Sequence, residues 1–327
     1  MIKQLVKIYK PELYHGNNQK PPFFEGWFYK LVDPARQYIY AIIPGVFIAQ
    51  KIEDTHAFIQ ILEGHTGKSD YIPFNLDEFH SHESEFLLQI GENSFSSSDI
   101  SLNVIGEKLQ VYGKLAFEST SPWPVRLWSP GVMGPYAFAP FMQCYHGVIS
   151  MDHTMHGKLN INQQTIDFTN GRGYIEKDWG KSFPSAYIWA QCNHFETPGV
   201  SLMLSVANIP WVSGSFLGFL VGLLFEGRLY RFTTYTGAKL QKVSVSEKLI
   251  EIQVAQFPYE ISIRIEEKTS GMLHGPYEAQ MAKKVTESLN SEMHINFTKN
   301  GKTFFEGIGK ASGLDVNGNL SEILVGD

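Results

Sequence analysis

Three ionisable side chains stand in a row, Glu176, Lys177 and Asp178, and Trp179 follows them directly, within the stretch GRGYIEKDWGKSFPSAYIWAQCNHF from Gly171 to Phe195. A further acid, Glu25, lies among rings in PPFFEGWFYKLV, Pro21 to Val32, with Trp27 and Tyr29 at two-residue steps after it. A carboxyl group held against apolar rings is poorly solvated, so its neutral form is favoured and its pKa rises. A proton donor working near neutral pH requires that shift. Asp178 and then Glu25 are therefore the candidate catalytic acids, expected to converge on one dry pocket. The plainer alternative is that Lys177 or Arg172 neutralises Glu176 or Asp178 in a tight turn, because structural ion pairs also gather charges.

Both stretches read as strands. At period two, Glu25, Trp27 and Tyr29 fall on one face, with Phe24, Phe28 and Lys30 on the other. The same alternation puts Tyr187, Trp189, Gln191, Asn193 and Phe195 on one side, and Ile188, Ala190, Cys192 and His194 on the other. One face suits a core and the other a cavity wall. Short β-rich runs recur at 38–47, 57–62, 86–90, 100–105, 110–117, 148–150, 158–161, 201–207, 229–234, 249–254 and 260–266. Glu63-Gly64, Asn170-Gly171, Pro198-Gly199, Asn300-Gly301 and Asn317-Gly318 punctuate them as turns, and no long stretch keeps a helical period. The pattern predicts an all-β protein of antiparallel barrels or sandwiches with few short helices. The Pro- and Gly-rich segment SPWPVRLWSPGVMGPYAFAP, Ser121 to Pro140, reads as a lid or wrapping loop. A boundary near Asn162 gives an N-terminal domain over 1–162 and a C-terminal domain over 163–327. The string FFEG at Phe23 and again at Phe304 hints at two related halves, although four residues do not establish a repeat.

Composition narrows the function classes. At 327 residues, 43 % apolar and 13 % aromatic, the chain can bury one large or two ordinary cores, and its length favours two. A net charge of −6 with scattered histidines offers no field for phosphate backbones, so nucleic acid is not an expected partner. Cys144 and Cys192 sit in apolar strand-like sequence and read as reduced thiols, which suits the cytoplasm. The start, MIKQLVKIYKPELYHG, lacks the long apolar run of a secretory signal, so export is not expected. Ile209 to Phe225, IPWVSGSFLGFLVGLLF, carries no charge; its Pro and Gly content argues for buried strand or cavity lining, with peripheral membrane contact as a further expectation. His80 and His82, and His146, His153 and His156, have spacings zinc can use, but no His-Glu-x-x-His or paired-Cys motif accompanies them, so no metal is expected. Nucleophile-elbow, phosphate-loop and dinucleotide motifs do not occur either, and cofactor-independent chemistry fits best.

Three blocks in order, HGNNQKPPFFEGWFYKLV from His15, CYHGVISMDHTMHGKLNIN from Cys144 and GYIEKDWGKSFPSAYIWAQCNHF from Gly173, resemble the tocopherol cyclase family. The resemblance implies two lipocalin-like β-domains, distantly similar to carotenoid hydratases, and closure of a prenylated hydroquinol to a chromanol. That chemistry protonates a trisubstituted alkene and lets a phenolic oxygen capture the tertiary cation. Asp178 or Glu25 would donate the proton, and Trp27, Trp179, Tyr187 and Trp189 would face the cation. Gln191 and Asn193 would hold the quinol oxygens, and His15 or Tyr29 would accept the phenolic proton. Each lone Trp also has the ordinary reading of core filling. A lipocalin-like carrier of a hydrophobic isoprenoid, or an alkene hydratase in which water captures the cation, would use the same architecture.

Overall fold

The computed structural model describes residues 6–212 and 214–326. Apolar alternation broken by turn residues produces, in chain order, β1 (Phe23–Val32), β2 (Ile39–Ile48), β3 (His56–Glu63), β4 (Ser69–Phe74), β5 (Phe79–Ser81), β6 (Leu87–Ile90), β7 (Asn93–Ser96), β8 (Asp99–Ile105), β9 (Gln110–Glu118), β10 (Cys144–Ile161), β11 (Gln164–Asp167) and β12 (Arg172–Gly180). The chain continues through β13 (Ala186–Cys192), β14 (Ser201–Trp211), β15 (Gly214–Phe225), β16 (Arg228–Thr233), β17 (Lys239–Ser246), β18 (Leu249–Gln256), β19 (Tyr259–Glu266), β20 (Ser270–Tyr277), β21 (Gln280–Lys299) and β22 (Lys302–Gly318). The protein is all-β, and its helices among the described residues are short: residues 6–8 are α-helical, and the others are 3-10 stretches of three to five residues.

Two compact units form: residues 1–63, 67–183 and 271–285, and residues 64–66, 184–270 and 286–327. β12, which follows Asn162, belongs to the first. The first unit's antiparallel sheet runs β4-β3-β2-β1-β12-β10-β9-β8-β7-β6-β5, so β1, β12 and β10 lie side by side at its middle. The second sheet runs β16-β15-β14-β13-β22-β21-β19-β18-β17. Each unit closes over its own core, Trp27, Tyr29, Ile42, Ile59, Phe95 and Ile175 among the residues of the first, and Ile188, Ala190, Cys192, Leu204, Val221 and Phe297 among those of the second. Phe195 joins that second core, because β13 ends at Cys192 and the alternation stops there.

Three strands are longer than their hydrophobic patterns predict. β10 is one 18-residue strand where the sequence reads as two short ones, since His146, His153 and His156 interrupt the apolar alternation while register shifts at Val148/Ser150 and Ser150/His153 keep the ladder continuous. β21 and β22 extend far beyond the last predicted run, although Asn300-Gly301 between them is the expected turn. Both residues have positive φ, 51° and 72°, as a tight hairpin requires. The apolar run 209–225 holds the end of β14 and the whole of β15, with Phe219 packed in the core; Ser213 lies outside the described residues. No helix among the described residues is long and apolar enough to cross a membrane.

Candidate active site

Strand register sorts the acids. Across β1 and β12, Glu25 opposes Trp179, Trp27 opposes Lys177 and Tyr29 opposes Ile175, while Gly26 opposes Asp178, Phe28 opposes Glu176 and Lys30 opposes Tyr174. Directly opposed residues project to the same face. Glu25 and Lys177 therefore point inward with Trp27 and Tyr29, whereas Asp178, Glu176 and Tyr174 point outward. The expectation that Asp178 and Glu25 share one pocket is corrected here: the period-two alternation that groups Glu25 with Trp179 sends Asp178 to the other side.

The inward cluster is a buried lock. Lys177 Nζ lies 2.5 Å from Glu25 Oε1, and both side chains are fully buried. The same ammonium donates to His15 Nδ1 at 2.8 Å, to the Pro11 carbonyl at 2.9 Å and to the Leu13 carbonyl. With Glu25, four acceptors surround its three N–H groups. Glu25 also accepts from the His15 backbone N–H at 2.8 and 2.9 Å, and Trp27 Nε1 donates to the Glu12 carbonyl at 3.0 Å, so the segment 11–15 is tied to the unit's interior. Burial alone would push the Glu25 carboxyl up, but the Lys177 ammonium holds it below its ordinary value. The raised pKa expected of a ring-bound Glu25 is thus reversed by a cation that strand register supplies. Burial pulls the Lys177 ammonium down to about 8 against the charge of Glu25. Burial and the Lys177 charge keep His15 neutral, so its Nδ1 accepts and its Nε2–H donates to the Lys7 carbonyl at 3.2 Å. Trp27 and Trp179, expected to face a transient cation, face a resident one: Lys177 Nζ sits 4.7 and 4.6 Å from their ring centroids. Tyr29 donates to the Ser96 carbonyl at 2.9 Å deep in the core.

The outward cluster is a proton-holding group beside an apolar wall. β10 brings His146 opposite Asp178. His146 Nδ1 lies 2.8 Å from Asp178 Oδ1, and Nε2 lies 3.4 Å from Glu176 Oε2, within ion-pair range but without hydrogen-bond alignment. Tyr174 donates to Glu176 at 2.5 Å. Burial pulls the imidazolium down, yet Asp178 and Glu176 together raise it to about 10. Phe24, Phe47 and Ala49 form a small core on this side, with Cys144, Phe183 and Met281 against it, and Cys144 Sγ lies 3.9 Å from Asp178. Gly26 lies across from Asp178, with Ile43 and Phe58 packed close to its α-carbon. Asp178 keeps 31 % of its side chain exposed, against 11 % for His146 and 5 % for Glu176. It is the member that an incoming molecule can reach.

His146, Glu176 and Asp178 present ligand atoms within 4.8 Å of one another, the spacing of a metal donor set. The imidazolium between the two carboxylates already supplies the positive charge, so a proton satisfies the arrangement. Three of the other histidines considered for zinc have separate partners: His153 Nδ1 bonds Ser150 at 3.1 Å, His156 faces Glu118 at 3.4 Å, and His82 accepts from the backbone of Glu85 at 3.2 Å. The ion pairs read from sequence are also rearranged, since Lys177 pairs with Glu25 and Arg172 with Asp152. Tyr187, Trp189, Gln191 and Asn193 belong to the second unit, where Tyr187 donates to Asp315 at 2.8 Å and all four are buried. Sequence reasoning missed His146 and Tyr174 as partners of these acids; the signal was there only as polar residues on alternating positions of two strands, and their pairing depends on register.

The outward cluster carries a pH signature. The folded state raises the His146 pKa, so its contribution to stability is complete below the ordinary imidazole value of 6.5 and is lost as pH rises through about 10. The stability difference between wild type and His146→Gln, from urea unfolding, is expected to be widest near pH ~6 and to close above ~10. Lys177 titrates in both proteins and cancels. A constant difference across that range contradicts the pairing.

Residues 131–318 match the family model described as tocopherol cyclase-like. The chain is 25 % identical over 190 residues to the chloroplastic tocopherol cyclase of Zea mays, an alignment covering 51 % of this chain and 40 % of the maize protein. It thus spans less than half of that relative's length. Among solved structures, CghA with Sch210972 is similar at a TM-score of 0.60 and 9 % identity, covering 91 % of this chain and 89 % of that one. The AttH protein of Nitrosomonas europaea is similar at 0.54 and 14 % identity, covering 92 % and 94 %. These two likenesses show a shared lipocalin-like fold.

Proposed function

Because that match covers more than half of its residues, the chain belongs to the tocopherol cyclase-like family, and from this premise we propose that it is an acid-initiated cyclase converting a prenylated hydroquinol to a chromanol. The observation that carries the reading is the His146–Asp178 pair, 2.8 Å apart, with the carboxylate partly open beside an apolar wall. At rest the proton sits on His146. A prenyl chain covering Asp178 strips its water, and in a dry site a neutral imidazole–carboxylic acid pair is favoured over separated charges. The proton then moves from Nδ1 to the Asp178 carboxylate, with Glu176 facing the remaining Nε2–H.

Asp178 donates that proton to the less substituted alkene carbon. The tertiary cation is captured by the neighbouring phenolic oxygen, which closes the ring ether and releases its own proton to the His146–Asp178 pair. No atom is gained or lost overall, so the step is an isomerisation. Holding phenol and alkene in register supplies the largest share of the rate, about 7 kcal/mol or more.

Glu25 takes a different part in this reading: it locks Lys177 and the segment 11–15 and does not donate. The apolar run 209–225 offers lipid only its tip, since Trp211 and Val212 are exposed while Phe219 faces the core. The reaction is tested in deuterated water with a prenylated hydroquinol. One deuterium on the former alkene carbon of the chromanol is the expected product. A chromanol without deuterium removes the protonation step, recovery of intact quinol favours a carrier, and a product heavier by one water favours hydration.

A further inference from the structure

Ser121–Gln143, between β9 and β10, carries a single charged residue, Arg126. It exposes Val125 by 44 %, Leu127 by 66 %, Trp128 by 79 % and Phe141 by 52 %. The loop is not loosely packed: Trp123, Val132, Met133 and Met142 anchor it in the first unit. Arg126 and Ser129 exchange backbone hydrogen bonds of 3.1 and 3.0 Å, forming a tight turn whose apex is Leu127–Trp128. Tyr9 fixes that apex from outside by donating to the Leu127 carbonyl at 3.0 Å. A buried anchor and a two-rung turn therefore hold a Leu and a Trp out in water, where an isolated chain gains nothing from placing them.

An exposed Trp beside Leu and Val, with one cation and no acid in the segment, matches the boundary layer of a bilayer: rings enter the headgroup region, and the guanidinium meets phosphate. The segment is also tied to the strand pair β10–β12. Its Ala139 carbonyl accepts from Tyr145 Oη at 2.5 Å, and the Tyr145 ring stacks at 5.4 Å on Trp179, on the Lys177 face of β12. We propose that the Arg126–Ser129 turn docks the first unit on a phospholipid bilayer, the phase that holds an oily substrate. The docking partner rests on the substrate class proposed above; the docking itself is measured without substrate.

The test is flotation of the purified full chain with phosphatidylcholine vesicles, with and without phosphatidylglycerol. Wild type is expected to float with both. Leu127→Ser/Trp128→Ser is expected to reduce the bound fraction roughly tenfold, and Arg126→Gln to weaken binding to the anionic vesicles roughly fivefold. Trp211→Ser/Val212→Ser should leave flotation unchanged. The proposal is overturned if Leu127→Ser/Trp128→Ser floats like wild type, if the loss appears in the 211/212 variant instead, or if the 127/128 change only dissociates a dimer in sedimentation. Turnover on detergent-dispersed quinol separates this from the cyclase reading. Retained turnover with lost flotation supports docking, and absent turnover in wild type removes the cyclase while leaving the flotation result intact.

Discussion

Asp178→Asn is expected to lower kcat by at least ~100-fold at neutral pH, the usual loss on removing a general acid, with KM little changed. Asn is close in shape to Asp, and its side-chain oxygen can still accept from His146 Nδ1, so the fold and the apolar wall of Phe24, Phe47 and Phe183 stay in place. What disappears is the atom that receives the proton and passes it on. His146→Gln provides the contrast. It removes the proton reservoir and keeps the carboxyl, so its rate should fall well below that of wild type at neutral and alkaline pH. Wild type, with His146 raised to about 10, should keep its rate well above neutrality. Single-turnover rates against pH for the three proteins decide the assignment. Equal profiles for wild type and His146→Gln exclude the relay, and an unimpaired Asp178→Asn excludes Asp178 as donor.

Those roles depend on which strands meet, and that limits what a single sequence discloses. The faces of β1 were legible: Glu25, Trp27 and Tyr29 do share one side, because alternation is a local property of the strand. The core face of β13 was legible for the same reason. The partners of Glu176, Lys177 and Asp178 were not. Consecutive residues in a strand point to opposite faces, so Lys177 goes inward to Glu25, more than a hundred residues away in sequence, while its neighbours go outward to His146 and Tyr174. No composition or spacing within the EKD triplet encodes a choice of β1 on one flank and β10 on the other. The bulges in β10 add to the difficulty, since each shifts the alternation that a period-two reading relies on. Aromatic rings near the acids were a sound signal of a low-polarity setting, yet Trp27 and Trp179 surround Lys177, and the apolar wall near Asp178 comes from Phe24 and Phe183.

Glu25→Gln should destabilise the fold by about 3–5 kcal/mol, as removal of one partner from a buried ion pair does, while the surviving folded protein turns over at close to the wild-type rate. Lys177 is fully buried and would keep its contacts to His15 Nδ1 and the carbonyls of Pro11 and Leu13, but nothing there replaces the carboxylate charge. The double variant Glu25→Gln/Lys177→Met removes both charges at similar volume, so it should recover most of the loss, giving a coupling energy that a pair of independent contacts would not show. The acid limb supplies a second check. Glu25 has a lowered pKa in the folded state, so its pairing contributes fully above its ordinary value of 4.5 and is lost as pH falls through the lower folded value. The stability gap between wild type and Glu25→Gln must therefore narrow in acid, opposite in direction to the gap opened by His146→Gln, which narrows in alkali. Urea unfolding at several pH values measures both. If Glu25→Gln instead unfolds like wild type and loses turnover, the inward carboxylate is the proton donor, and the division between a locking face and a reacting face on β12 is reversed.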